Sequence, residues 1–179
     1  MTISIAYAEP GYWSKDYALT DNVDANLADL NYLNNSSASL ILMIDGHQTN
    51  ATDVSDNLPR AVLISLFTWR RANPDDDLPA TNKYGWWGDT YAAEFNDRIG
   101  SRLWLLSRSK LTNETQLKAQ EYATEALQWL TDDGVADSVQ ITAERESMNT
   151  LALQIIITRG DNSALNIRFI NVWDYINAI

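Results

Sequence analysis

Residues 138–170 read SVQITAERESMNTLALQIIITRGDNSALNIRFI, and their hydrophobic pattern decides the fold class. Val139, Ile141 and Ala143 alternate with Gln140, Thr142 and Glu144. Leu151, Leu153, Ile155 and Ile157 alternate with Ala152, Gln154, Ile156 and Thr158. Leu165, Ile167 and Phe169 then alternate with Asn166, Arg168 and Ile170. Successive side chains of a strand point to opposite faces, so a period of two describes strands with one face buried. Short polar turns at Glu146–Asn149 and Gly160–Ser163 join the three runs, which predicts an antiparallel three-stranded meander.

Upstream the period changes. Ala119, Tyr122, Ala123, Ala126, Leu127 and Leu130 follow the three–four spacing of a helical stripe, with Lys118, Glu121, Thr124, Glu125 and Gln128 on the other side. A cap at Thr112 or Asn113 starts this helix, and Asp132-Asp133-Gly134 ends it near Leu130. Before it, Arg60–Thr68 (RAVLISLFT) is almost continuously apolar, so periodicity alone does not separate a buried helix from a strand. Asp56 as a cap, with Pro59 in the first turn, favours the helix. The expected fold is therefore α+β: a C-terminal helix packed on a three-stranded antiparallel meander, preceded by a buried helix and Trp-rich loops.

The first third is less regular. Val23, Leu27 and Leu30 fit a short helix over Asp24–Asn31, and Leu40–Ile44 reads as a buried strand ended by a turn at Asp45-Gly46. Residues 46–57 are polar. The expected division is an irregular extension over residues 1–57 and a folded domain over residues 58–179.

Twenty-four acids against thirteen bases give a net charge of −11 in 179 residues, which argues against non-specific binding to nucleic acid or an anionic membrane. The absence of Cys excludes disulfides, thiol catalysis and Cys-ligated metals. A single His, His47, excludes multi-histidine metal sites and leaves little room for a Ser–His–Asp triad. Met1–Ala8 lacks the basic start and long apolar run of a signal peptide, so synthesis in a reducing cytoplasm is expected.

Charge is unevenly placed. Residues 60–111 hold eight of the thirteen bases and four of the seven Trp, whereas both flanks are acidic. Arg70, Arg71, Arg102 and Arg108 in this stretch either anchor acidic partners or brace the acidic flanks from within. Trp86 and Trp87 sit between Gly85 and Gly88; neighbouring side chains of an extended segment diverge, so one ring can face the core and the other a partner. Asp75-Asp76-Asp77 lacks the alternating oxygens and the glycine of a calcium loop and reads as a solvated turn, so no metal or cofactor is expected. An alternative enzymatic reading takes Asp89 and Glu94 as the carboxylate pair of a cell-wall hydrolase, with Trp86 and Trp87 as a sugar-stacking platform.

Several blocks together resemble the Mu-type phage baseplate protein family: Leu66-Phe67-Thr68-x-Arg70-Arg71-Ala72, Asp77-Leu78-Pro79, Gly85-Trp86-Trp87-Gly88-Asp89 and Gly100-Ser101-Arg102-Leu103-Trp104. Tyr122, Glu125-Ala126-Leu127 and Trp129-Leu130 extend the match into the helix. Trp69 and Tyr84 depart from the pattern, where an acidic residue and an Arg are expected. The resemblance is to small wedge or sheath-initiator proteins of contractile tails, some relatives of which carry a tail-lysozyme label. It implies a non-enzymatic virion component whose partners are other baseplate wedge proteins, the tail tube and the sheath. The partner-binding residues expected on this reading are Arg70, Arg71, Trp86, Trp87, Arg102 and Arg108, with Val172, Trp173 and Tyr175 of the apolar final segment. The mode expected is addition of a strand to a free sheet edge.

Overall fold

The computed structural model describes residues 40–49, 54, 56–79, 81, 83–86, 89, 98–160 and 163–177. The helix expected over Asp24–Asn31, and the side chains of Trp87 and Glu94, lie outside these residues.

Five strands form one antiparallel sheet: β1 (Ile41–Ile44), β2 (His47–Thr49), β3 (Ser138–Arg145), β4 (Leu151–Thr158) and β5 (Ala164–Ile170). Their order is β2-β1-β5-β4-β3. The expected three-stranded meander is thus overturned: β1 adds to the far side of β5, in the register Leu42↔Phe169 and Ile44↔Ile167, and β2 adds to β1. The α+β class stands. The additional pairing follows from the buried face. Phe169 and Ile167 are completely buried, and Leu42 continues that apolar row across β5. Asp45 (φ 49°) and Gly46 (φ 82°) both take positive φ, the geometry of a two-residue hairpin turn whose twist matches the strands it joins. The strand expected to end in a turn is therefore half of a hairpin. The boundary expected between residues 57 and 58 falls in the first turn of the helix that follows the hairpin.

Helix α1 (Asn57–Phe67) starts where Asp56 accepts a hydrogen bond from the Leu58 amide at 3.3 Å, and every residue from Leu58 to Leu66 is buried. Helix α2 (Asn113–Leu127) is capped by Thr112, which accepts from the Thr115 amide at 3.3 Å. A short turn, α3 (Trp129–Asp132), extends it, and Gly134 (φ 70°) redirects the chain into β3. Helix α4 (Val172–Asn177) closes the end of the sheet.

The helices share one face. Leu151, Leu153, Ile155 and Ile157 of β4 form one core with Ala61, Val62 and Leu66 of α1 and Ala119, Ala123 and Leu127 of α2. Phe67 stands edge-on to both Phe169 (centroids 5.2 Å apart) and Tyr175 (5.0 Å), joining α1, β5 and α4. Trp129 donates from Nε1 to Ser65 Oγ at 3.1 Å, so the one polar side chain of that stretch of α1 is satisfied in the core. The other face of the sheet carries Ile41, Met43, Gln154, Ile156, Arg168 and Ile170, all of them partly exposed.

Candidate functional site

The glycine and tryptophan blocks between α1 and α2 pack against one another. Ser101 donates from its amide to Thr68 O at 2.9 Å, and Arg70 N donates to Ser101 O at 3.0 Å, a one-residue parallel bridge. Gly100 sits at φ 94° against this bridge, where a Cβ would come within 2.8 Å of the Thr68 carbonyl carbon and 3.0 Å of Arg70 N. Trp104 Nε1 donates to Arg70 O at 2.8 Å, and its ring meets Tyr84 edge-on at 4.9 Å while Tyr84 meets Trp69 at 4.5 Å. Trp69, Tyr84 and Trp104 thus form a second small core with Ala72, Leu78 and Leu105. The departures Trp69 and Tyr84 are both part of it.

The basic residues divide. Arg102 donates from Nε to Glu125 Oε2 at 2.8 Å and from Nη1 to Asp76 Oδ1 at 2.6 Å, and it stacks 4.6 Å above the Tyr122 ring. Arg70 reaches the other Glu125 oxygen at 3.4 Å. Burial works against the Arg102 charge, but the hydrogen bond and attraction of Glu125, with Asp76, outweigh it and hold its pKa above the ordinary value. Burial pushes the Tyr122 phenol upward, against the pull of Arg102. Arg70 and Arg102 therefore brace the acidic helix from within. Arg71 is exposed beside Gly85; Arg108 is exposed on the far side of the loop, its amide donating to Asn177 Oδ1 at 2.9 Å.

The remaining expected positions are equally definite. Trp86 is half-buried against the main core. Val172, Trp173 and Tyr175 are buried in the chain's own interior, on the inward side of α4. Asp89 Oδ1 accepts from the Ile99 amide at 3.1 Å, which ties the end of the Gly-Trp-Trp-Gly-Asp block to the start of the Gly-Ser-Arg block. Asp76 is occupied by Arg102 and by the Asn73 amide, so the triple aspartate is a braced turn. Among the described residues no group of three or more His, Asp or Glu is placed to hold a metal ion. An open groove of about 490 Å³ lies between Asp75–Pro79 and the Lys118–Tyr122 side of α2.

Among the described residues, a row of backbone groups with unfilled bonding capacity lies on the sheet margin. Glu146 N donates to Thr150 O at 3.0 Å, continuing the β3–β4 ladder, so the even-numbered residues of β3 bond inward. In an antiparallel pair alternate residues turn both backbone groups away from the partner, and these are Val139, Ile141, Ala143 and Arg145. Ala143 alone of these finds partners among the described residues: its carbonyl accepts from Gln116 Nε2 at 2.7 Å, and its amide donates to Gln120 Oε1 at 3.1 Å. Sequence reasoning missed both glutamines. Their i, i+4 spacing, on the flank of the buried stripe, was the available signal.

The phage protein GP46 family matches residues 58–164, from the first turn of α1 to the first residue of β5. This chain belongs to that family, the Mu-type baseplate family. It is 44% identical over 115 residues to the Mu-like prophage FluMu protein gp46 of Haemophilus influenzae, and 45% identical over 117 residues to the baseplate protein gp46 of Escherichia phage Mu. Each match covers 64% of this chain and 78% of the relative. The family stretch includes all the glycine and tryptophan blocks, the Arg–Glu brace, the glutamine pair and the whole of β3. The β1–β2 hairpin and most of β5 lie outside it.

Proposed function

We propose that this chain is a structural, non-enzymatic component of a phage tail baseplate, incorporated in the virion after synthesis in the host cytoplasm. It joins wedge proteins around the tube of a contractile tail and templates the first sheath ring by accepting a strand from a neighbour. The observation that carries this reading is the outward-facing backbone of β3, an eight-residue edge strand bonded on its outer side only at Ala143 among the described residues. Such an edge pairs readily with another chain. Leu117 and Met148, the large apolar side chains that stand exposed among the described residues, belong to the helix and the turn that border this edge. Residues 58–179 form the assembly domain and residues 1–57 the extension, whose β1–β2 hairpin completes the sheet. Arg71 and Arg108, the exposed members of the basic set, are the ones available to acidic neighbours.

The test is Val139→Pro. Its N–H points outward, so proline removes a donor needed by an added strand and leaves the β3–β4 ladder intact. The variant is expected to fold and to leave tails without sheath; fully sheathed tails of normal length refute strand addition at β3.

A further inference from the structure

We propose that Gln116 and Gln120 form a removable cap on β3, standing in for the missing neighbour strand until a partner displaces them. This inference rests on the strand-addition reading. Two helical residues four positions apart lie on one face about 6 Å from each other along the axis, so both reach the same backbone unit. Together they give Ala143 one donor and one acceptor, at 2.7 and 3.1 Å, which is what a paired strand residue supplies. The cap covers one outward residue. Val139 and Ile141, four and two positions before it, remain for a longer segment, which gains their bonds while replacing the two at Ala143.

The same geometry specifies the occupant: an extended segment of another subunit in which small apolar and basic residues alternate. Val139 and Ile141 face the helix layer and are only half-buried, so residues opposite them meet apolar surface. Gln140, Thr142 and Glu144 face the other side, where Glu144 and Glu146 both lie 2.7 Å from Arg168 Nη2. The chain's net charge of −11 disfavours a second copy and favours a basic strand. An edge blunted by side chains in this way stays unpaired with weak or short partners and opens to a long complementary one.

The probe is a labelled peptide, acetyl-Lys-Val-Lys-Val-Lys-Val-Lys-amide, titrated by fluorescence anisotropy into the full chain, the Gln116→Ala/Gln120→Ala variant and the same variant carrying Val139→Pro. Circular dichroism checks each fold. The double variant is expected to bind at least about fivefold more tightly than wild type, the scale of one net hydrogen bond, with the Ala143 amide exchanging its proton faster by a similar factor. Adding Val139→Pro abolishes the gain. Equal affinity of double variant and wild type overturns the cap, as does a gain that survives Val139→Pro. The tail-assembly result with Val139→Pro decides the underlying reading separately: sheathless tails with unchanged peptide affinity sink the cap alone, whereas sheathed tails sink both.

Discussion

Gly100→Ala tests the close approach on which the loop knot depends. The added methyl would lie 2.8 Å from the Thr68 carbonyl carbon, and closer still to its oxygen, and these are backbone atoms that cannot rotate aside. The Ser101 N–Thr68 O and Arg70 N–Ser101 O bonds, 2.9 and 3.0 Å, would have to open to admit it. Each is worth about 1 kcal/mol net. Forcing a side chain to φ 94° adds about 1–2 kcal/mol of backbone strain. The expected loss is about 3–4 kcal/mol, a large part of the roughly 5–15 kcal/mol that holds a domain folded. Gly134→Ala is the control, because Gly134 also has positive φ (70°) but a Cβ there meets nothing within 4 Å. It should cost only the strain, about 1–2 kcal/mol. Urea unfolding followed by Trp fluorescence measures both, and at about 2 kcal/mol per molar the two midpoints should differ by about 1 M. Equal midpoints would refute the argument from close packing, since strain alone would then account for both glycines.

Glu125→Ala should destabilise by about 2–3 kcal/mol, because it removes the bonds at 2.8 and 3.4 Å and leaves Arg70 without its carboxylate and Arg102 with Asp76 alone, on side chains 15% and 13% exposed. A double-mutant cycle with Arg102→Ala should return a coupling of at least about 1 kcal/mol, and zero coupling would show the brace to be energetically idle. Trp129→Phe removes the donor to Ser65 in the core and should lower stability by about 1–3 kcal/mol; adding Ser65→Ala should recover part of that loss, as judged by thermal unfolding.

How much of this was legible depended on the range of the interaction. The strands of residues 138–170 and the stripe of α2 declare themselves through local periodicity, and Asp56, Thr112 and Gly134 mark the helix limits by their own side-chain or backbone chemistry. The pairing of β1 with β5 joins Ile41 to Ile170, and nothing in either segment names the other. The Asp45-Gly46 pair was a hairpin signal, but β2 is only His47–Thr49, too short and polar to show a period. At the site, the basic residues of the middle third stood out while their roles did not. Arg102 meets Asp76 and Glu125, 26 and 23 residues away in opposite directions along the chain. Val172, Trp173 and Tyr175 are apolar whether they cover this core or a neighbour's, and only the packing of α4 tells which.

On the proposed strand-addition reading, the two margins of the sheet give assembly through it one direction. On β1, Met43 and Ile41 bond toward β5, as the Asp45 N–Asn166 O bond of 2.8 Å continues that ladder. Ile44 and Leu42 then bond toward β2, which turns His47 and Thr49 inward and leaves Gln48 as the single outward residue of that strand. One residue cannot hold a strand. β3 offers four in succession, and its middle is guarded from α2, so a neighbour must approach along the flank of that helix with its segment on the far side of β3 from β4. On that reading a sheet whose described residues leave one edge too short to pair and the other capped by side chains resists random association from both sides. If the proposed cap holds, the same arrangement confines specific association to a partner that can replace the glutamines, and the α2–β3 flank is then the surface where the identity of the neighbour is read.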